Sequence, residues 1–212
     1  MNSQPTQTPV STVRASEAQG NAEENARRAG LYSVIAALLR DTPDAATLEY
    51  MTQLQDTAAD QRSELPLALN MLALAARHTE PGALRDEYHA LFIGLGRGEL
   101  VPYGSWYQTG FLMEKPLGLL RADLAALGFE RDSDVHEPED HIAALCEVMA
   151  MLISDGATLS TQQRFFNNHL GNWAQDFFAD LKDAESAVFY KSVARLGTAF
   201  IAIESNYLSL LD

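Results

Sequence analysis

The amino-acid sequence predicts an all-α protein, a single helical domain in two parts that are joined by a hinge containing glycine and proline. Three observations support this fold class. Apolar residues recur at helical spacing almost everywhere after Asn21, glycine and proline interrupt that spacing at intervals, and alternation of the strand type is nearly absent. A chain of 212 residues, of which 47% are hydrophobic, can bury one substantial core.

The first four predicted helices are separated by turn signals. Asn21 is a candidate N-cap for the first helix, and Asp41-Thr42-Pro43 ends it. A short second helix surrounds Leu48, and a third runs from Ser63 until Glu80-Pro81-Gly82 stops it. The fourth helix has an apolar stripe that consists of Leu84, Tyr88, Leu91 and Phe92.

Residues 94–104 interrupt the helical pattern. The glycines of this segment and Pro102 predict a long loop. Pro116 suits the first turn of the next helix, and Gly128-Phe129 is typical of a glycine cap at its end. Residues 128–141 then form an acidic connector and hinge, after which three more helices begin near Ile142, Thr161 and Ala184.

Residues 1–20 differ from the rest of the chain in composition. They are rich in Ser, Thr, Gln and Pro and lack an apolar run, so we expect a disordered polar tail and no secretory signal. Residues 21–212 form the predicted helical domain. No stretch has the length of unbroken apolar sequence that spanning a bilayer needs, so stable membrane insertion is not expected.

Charge and cysteine content limit the partners and the compartment. The formal net charge is −14, and such a field repels nucleic-acid phosphates and anionic lipid but attracts a cationic segment. Nucleic acid is therefore not an expected partner. Cys146 is the single cysteine, so the chain can form neither an internal disulfide nor a Cys-rich metal site, which fits the cytoplasm.

The segment Glu137-Pro138-Glu139-Asp140-His141 is the most informative part of the sequence. Proline at the first helical position would aim the carboxylates at the amide groups of a helix N-terminus, which is typical of a well-capped helix. A functional interpretation places Asp140 and His141 at the mouth of a groove. There the helix dipole would keep His141 neutral, and an ionised Asp140 would accept hydrogen bonds from a basic peptide.

Catalytic and metal-binding interpretations have less support. His136 and His141 are five residues apart and lack a third nitrogen or sulfur ligand, so we predict no metal and no cofactor. The glycines of residues 94–98 do not follow a phosphate-binding pattern. Ser105 and Cys146 lack the setting that activates a nucleophile.

The order and spacing of several short motifs resemble the TorD/DmsD/NarJ-type cytoplasmic chaperones of molybdenum and tungsten oxidoreductases. The resemblance covers roughly residues 25–208 and is most specific where the Pro-Tyr-x-Ser-x-Tyr motif is followed by Glu-Pro-x-Asp-His. The matching motifs are Arg28-x-x-Leu31-Tyr32, Glu87-Tyr88-x-x-Leu91-Phe92-x-Gly94, Pro102-Tyr103-x-Ser105-x-Tyr107, Glu137-Pro138-x-Asp140-His141, Phe165-Phe166-x-x-His169-Leu170-x-x-Trp173 and Phe189-Tyr190.

The resemblance implies a protein that is not an enzyme and that binds the twin-arginine signal peptide and the apo-form of an oxidoreductase. Binding would delay export until the bis-pterin cofactor is inserted. The loop from Gly96 to Trp106 is similar to the branch that accompanies formate dehydrogenases, and tyrosine stands at 88 and 103 where some members have tryptophan. The implied peptide-binding residues are Tyr88, Leu91, Phe92, Pro102, Tyr103, Ser105, Glu137, Pro138, Asp140 and His141.

Two other classes of function stay open at the level of sequence. One is a metal- or nucleotide-dependent hydrolase, centred on His136, Glu137, Asp140 and His141. The other is a structural helical subunit of a redox complex. The long hinge also allows a homodimer or a helix-swapped oligomer.

Overall fold

The computed structural model describes residues 10–54, 63–131 and 137–210, with side chains from Gln19 onward. The described residues contain ten α-helices and one π-helical turn and no strand, which confirms the all-α prediction. None of these helices is both long and apolar enough to cross a membrane. The α-helices are α1 (Val10–Arg40), α2 (Ala45–Thr52), α3 (Glu64–His78), α4 (Pro81–Tyr88), α5 (Gly104–Thr109), α6 (Lys115–Ala126), α7 (Ile142–Ser154), α8 (Leu159–His169), α9 (Ala174–Asp183) and α10 (Tyr190–Ser209).

The first helix begins earlier than the sequence pattern predicts. It starts at Val10, so the predicted start at Asn21 is wrong, and residues 10–20 have a helical backbone where we expected a disordered tail. These residues include several good helix formers, Ala15, Glu17 and Ala18, which extend a helix whose later turns are packed. Residues 1–9 lie outside the described part of the chain.

The core forms where helices from both halves of the sequence meet. Helix α1 packs along α7, and α10 packs against α9 and α3. Tyr32, Ile35 and Leu38 of α1 are fully buried, as are Cys146 and Met149 of α7. Because residues on either side of the predicted hinge belong to the same buried cluster, the helices build a single core.

The glycine cap predicted at the end of α6 is confirmed. Gly128 has a φ of +83°, and its amide donates to the carbonyl of Ala125 at 3.1 Å. The Phe129 amide donates to the carbonyl of Leu124 at 3.0 Å, so the chain folds back on the helix that it leaves. Of the predicted connector 128–141, residues 132–136, which include His136, lie outside the described residues.

The glycine-containing loop closes a π-helical turn, His89–Ile93, that follows α4. Gly94 has a φ of +61°, and its amide donates to the carbonyl of His89 at 2.7 Å. A side chain at Gly98 would stand 2.5 Å from the backbone of Phe92, so the close approach of the two segments requires glycine. These glycines therefore shape a turn.

Two glutamates hold the segment between α9 and α10. The Glu87 carboxylate accepts hydrogen bonds from the backbone amides of Val188, Phe189 and Tyr190 at 2.7, 3.1 and 2.8 Å. The Glu99 carboxylate accepts from the amides of Glu185 and Ser186 at 2.5 and 3.1 Å. Glu87 thus satisfies the free amides at the start of α10 and ties α4 to it.

A buried ion pair joins α1 to α10. Arg28 is 3% exposed and Glu204 is fully buried, and the guanidinium binds both carboxylate oxygens at 2.7 and 2.9 Å. The remaining groups have partners as well: Arg28 donates to Gln162 at 3.0 Å, and the Tyr32 hydroxyl donates to Glu204 at 3.0 Å. These hydrogen bonds offset the cost of burying both charges.

Candidate functional site

The turn that contains Glu137-Pro138-Glu139-Asp140-His141 does not open helix α7 in the predicted way. The helix begins at Ile142, so the prediction that Pro138 occupies the first helical position is wrong. His141 is the N-cap, and its Nδ1 accepts a hydrogen bond from the Ala143 amide at 3.1 Å. An imidazole rather than a carboxylate therefore satisfies this end of the helix.

The helix starts late because the turn pairs with the segment before α5. Tyr103 and His141 form an isolated antiparallel bridge. The Ile142 amide donates to the carbonyl of Pro102 at 2.9 Å, and the Gly104 amide donates to the carbonyl of Asp140 at 2.9 Å. This pairing holds the turn extended up to His141, so helical backbone can begin only at Ile142.

The Asp140 side chain completes the junction between the two segments. It is 3% exposed, and its Oδ2 accepts a hydrogen bond from the Ser105 amide at 2.7 Å. Among the described residues, Asp140 Oδ1 and the Ser105 hydroxyl have no hydrogen-bond partner. The two motifs that carry the strongest resemblance are therefore in direct contact, and one oxygen of the Asp140 carboxylate accepts no hydrogen bond from the described residues.

Burial and neighbouring charges set the protonation of the turn. Burial lowers the pKa of His141, while the Glu137 and Asp140 carboxylates act in the opposite direction. Since Nδ1 accepts from an amide, the neutral ring carries its proton on Nε2. The Tyr103 hydroxyl donates to Glu137 Oε1 at 2.5 Å, and the Tyr103 ring packs edge-on against His141 at 5.1 Å. Burial and Glu137 together raise the pKa of Tyr103.

A groove of about 350 Å³ lies beside this turn, between α6 and α7. Its α7 wall carries Ala144, Val148 and Met151, which are spaced so that they lie on one face of the helix. Leu124 of α6 and Phe129 after it form the opposite apolar wall, and the turn closes one end with Glu137, Pro138 and His141. Met151 is 42% exposed, so part of this apolar surface is open. We refer to this feature as the α6/α7 groove.

The charges of the α6/α7 groove are of both signs. Four glutamates line it, Glu130, Glu137, Glu139 and Glu147, together with three arginines, Arg40, Arg121 and Arg131. The Arg40 guanidinium binds Glu147, and those of Arg121 and Arg131 bind Glu139 at 2.9 and 3.3 Å. The net charge of −14 predicts a negative field, but no pattern in the sequence places these arginines at the turn.

The other predicted site residues lie behind the turn or away from the groove. Tyr88 and Leu91 are buried, and the Tyr88 hydroxyl donates to the carbonyl of Arg40 at 3.0 Å. Phe92 packs against Tyr88 and against Tyr190, with ring centroids 5.0 and 5.4 Å apart. Burial raises the pKa of Tyr88 to about 12. Pro102 and Ser105 are buried at the junction with Asp140.

The described residues give no support to the hydrolase interpretation. They contain no group of three His, Cys, Asp or Glu side chains placed to hold a metal. Asp140 Oδ2 and His141 Nδ1 accept hydrogen bonds from the backbone amides of Ser105 and Ala143, so these two atoms are already engaged within the fold. Cys146 is fully buried, and burial raises the pKa of its thiol, which keeps it protonated and unreactive. His136 lies outside the described residues.

Comparison with known proteins assigns the family. The model of the family described as nitrate reductase delta subunit matches residues 58–179, which is more than half of the chain. The chain belongs to this TorD-like family. The matched region runs from the segment before α3 to α9, so it includes the turn, the junction with Ser105 and every lining residue of the α6/α7 groove except Arg40.

Individual members of the family agree with this assignment. A chaperone protein TorD from Vibrio cholerae is 29% identical over 173 residues, which cover 76% of this chain and 79% of the relative. One from Vibrio parahaemolyticus is 28% identical over 137 residues, and the match spans only 64% of its length. A crystal structure described as a redox enzyme maturation protein from Archaeoglobus fulgidus is 21% identical, with a TM-score of 0.53 over 82% of this chain and 93% of that chain. That structural similarity shows the TorD-like helical fold.

Proposed function

We propose that this protein is a chaperone that binds the twin-arginine signal peptide and the apo-form of a molybdenum or tungsten oxidoreductase while the bis-pterin cofactor is inserted, before export. The observation that carries the proposal is the α6/α7 groove, an open apolar groove that ends at the Glu137–His141 turn. The chain's similarity to chaperone proteins TorD supports chaperone activity rather than catalysis. The cytoplasm is the compartment that this role requires.

The apolar wall of the groove suits the hydrophobic segment of a signal peptide. Ala144, Val148 and Met151 present one helix face opposite Leu124 and Phe129. An amphipathic helix that binds in such a groove inserts side chains spaced three and four residues apart, and a volume of about 350 Å³ accepts several of them. We therefore place the apolar segment of the partner along α7, in a helical conformation.

The polar end of the groove suits the arginines that precede that segment. Glu137 is exposed, and it lines this end of the groove together with Glu139. The net charge of −14 attracts a cationic peptide from a distance, so ionic contacts would raise the association rate and fix the register. Burial of the apolar segment would supply most of the affinity.

The similarity of the loop around Trp106 to one branch of the family points to a formate dehydrogenase as the partner. In the structure Arg97 of this loop stacks on the Trp106 ring at 4.8 Å, next to the junction of Ser105 with Asp140. Trp106 is partly exposed and close to the turn, so its fluorescence can report binding there.

Calorimetric titration with a synthetic signal peptide from an oxidoreductase encoded beside this gene tests the proposal. We expect a Kd in the micromolar range or below, which rises with salt, and a change in Trp106 fluorescence. No heat and no fluorescence change with that peptide would contradict the proposal.

A pair of matched variants tests the location of the peptide. Met151→Lys puts a charge on the open wall of the groove and should abolish binding. Met71→Lys adds the same charge at a methionine of similar exposure on α3, 40% against 42%, and should bind as the wild type does. If both variants bound the peptide with the Kd of the wild type, the peptide would have to bind elsewhere.

A further inference from the structure

The arginines of the α6/α7 groove come from three separate parts of the chain. Arg40 is the last residue of α1, Arg121 lies on α6, and Arg131 follows α6. Their side chains are 43, 51 and 39% exposed. Three cations thus line one groove in a protein with 29 acidic and 15 basic residues.

Each arginine binds a carboxylate of the same groove. The Arg40 guanidinium uses Nε and Nη2 to bind both oxygens of Glu147. Arg121 donates from Nε and Nη2 to Glu139 Oε2 at 3.0 and 2.9 Å. Arg131 donates to the other oxygen, Glu139 Oε1, at 3.3 Å. One carboxylate, that of Glu139, therefore lies between two guanidinium groups.

The environment of Glu139 keeps it ionised and ready to bind guanidinium. Its side chain is only 17% exposed, and burial by itself would raise its pKa, but the hydrogen bond from Arg121 and the charges of Arg121 and Arg131 lower it. The two arginines are the more exposed members of these pairs. Arg121 is about half exposed and its guanidinium hydrogen bonds are those with Glu139, so its side chain can turn into solvent while the less exposed carboxylate stays in place, whereas Arg131 also donates to the Glu137 carbonyl at 3.2 Å.

We propose that the guanidinium of Arg121, together with that of Arg131, binds the Glu139 carboxylate in the free protein as an internal competitor. An arginine of the bound peptide then displaces Arg121 from this carboxylate. This inference rests on the proposed function. When the peptide binds, Glu139 exchanges one forked guanidinium contact for another. Lysine carries a point charge and cannot reproduce this contact. The forked contact with Glu139 therefore favours a segment with arginine ahead of its apolar part, while Arg121 weakens the binding of every peptide cation at this carboxylate by the same factor.

The inference is tested with two peptides that share one apolar segment and carry either an arginine pair or a lysine pair. Arg121→Gln should bind the arginine peptide about two- to five-fold more tightly than the wild type, the gain expected from removing one exposed ion pair. It should also bind the lysine peptide more tightly and by a similar factor, because both peptides displace the same arginine from Glu139. Glu139→Gln should weaken binding of the arginine peptide.

Two further variants separate competition from other effects. Arg27→Gln breaks an exposed pair with Glu24 on α1 and changes the net charge equally, so it should leave both Kd values unchanged. Arg121→Lys keeps the charge without the fork and should lie between the wild type and Arg121→Gln. Each variant is measured at one ionic strength, after its thermal midpoint has been checked.

Four outcomes would overturn the inference or its basis. Weaker binding of both peptides by Arg121→Gln would mean that the ion pair only holds α6 to the turn. An equal gain in Arg27→Gln would mean that net charge alone acts. Binding of neither peptide by the wild-type protein would contradict the proposed function itself, whereas binding of both peptides with Kd values that Arg121→Gln leaves unchanged would contradict only the competition.

Discussion

The carboxylate of Asp140 accepts a hydrogen bond from the backbone amide of Ser105 at 2.7 Å, and this contact joins two motifs that lie far apart in the sequence. The carbonyl of Asp140 also accepts from Gly104, so one residue satisfies two amides at the start of α5. Asp140 therefore stabilises the fold of the site and also contributes a carboxylate to it. A loss of peptide binding in an Asp140 variant must be separated from a loss of structure.

Substitutions of Asp140 that differ in hydrogen-bonding capacity separate a loss of peptide binding from a loss of structure. Asp140→Ala removes the acceptor for the Ser105 amide and should lower the free energy of unfolding by about 1–2 kcal/mol. Asp140→Asn keeps one acceptor oxygen and loses the charge, so it should be closer to the wild type in stability but still bind the basic peptide more weakly. Urea unfolding and peptide titration give the two readouts. Equal stability of Asp140→Ala and the wild type would contradict the structural role.

The buried His141 makes stability depend on pH. Because burial lowers its pKa in the folded state, the unfolded chain takes up a proton first as the pH falls through about 6.5. Stability should therefore be full above that pH and decrease below it, by at most about 1.4 kcal/mol between pH 7.5 and 5.5. Carboxylates with lowered pKa values, such as those of Glu99 and Glu139, also stabilise the folded protein, and their contribution is lost only at lower pH.

The substitution His141→Asn tests this dependence, because asparagine keeps an acceptor for the N-cap and does not titrate. Its free energy of unfolding should change less between pH 7.5 and 5.5 than that of the wild type. His78→Asn, at an exposed histidine that ends α3, should keep the wild-type dependence. A pH dependence in His141→Asn as steep as in the wild type would assign the effect to another group.

Glu87, the first residue of a motif that carries the family resemblance, has a structural role in the fold. Its carboxylate binds three amides at the start of α10, so Glu87→Gln should lower the free energy of unfolding by about 1–3 kcal/mol. Asp86→Asn, an exposed neighbour on the same helix, is the matched control and should change stability by less than about 0.5 kcal/mol. Denaturation curves that coincide for the two variants would refute this role.

The sequence predicted helix ends correctly at several glycines and prolines, but the single helix predicted from near Thr161 is two helices, α8 and α9, separated at Leu170-Gly171. Gly128 and Pro43 act on their own immediate neighbours, so local reasoning places the ends of α6 and α1 correctly. It failed at His141, since the start of α7 depends on backbone pairing with Pro102 and Gly104, which no local pattern records. The groove arginines were missed for the same reason, because Arg121 meets Glu139 only in the folded chain.

The buried ion pair between Arg28 and Glu204 should be the most sensitive polar contact between α1 and α10. Both groups are almost fully buried, so removing one leaves an unpaired charge in the core. Arg28→Met or Glu204→Leu alone should each lower the free energy of unfolding by about 3–5 kcal/mol, and the double variant should lose far less than their sum. In the exposed pair of Arg27 and Glu24, Arg27→Met should cost less than about 0.5 kcal/mol. Additive losses in the double variant of Arg28 and Glu204, measured by urea unfolding, would mean that the two charges do not act as a pair.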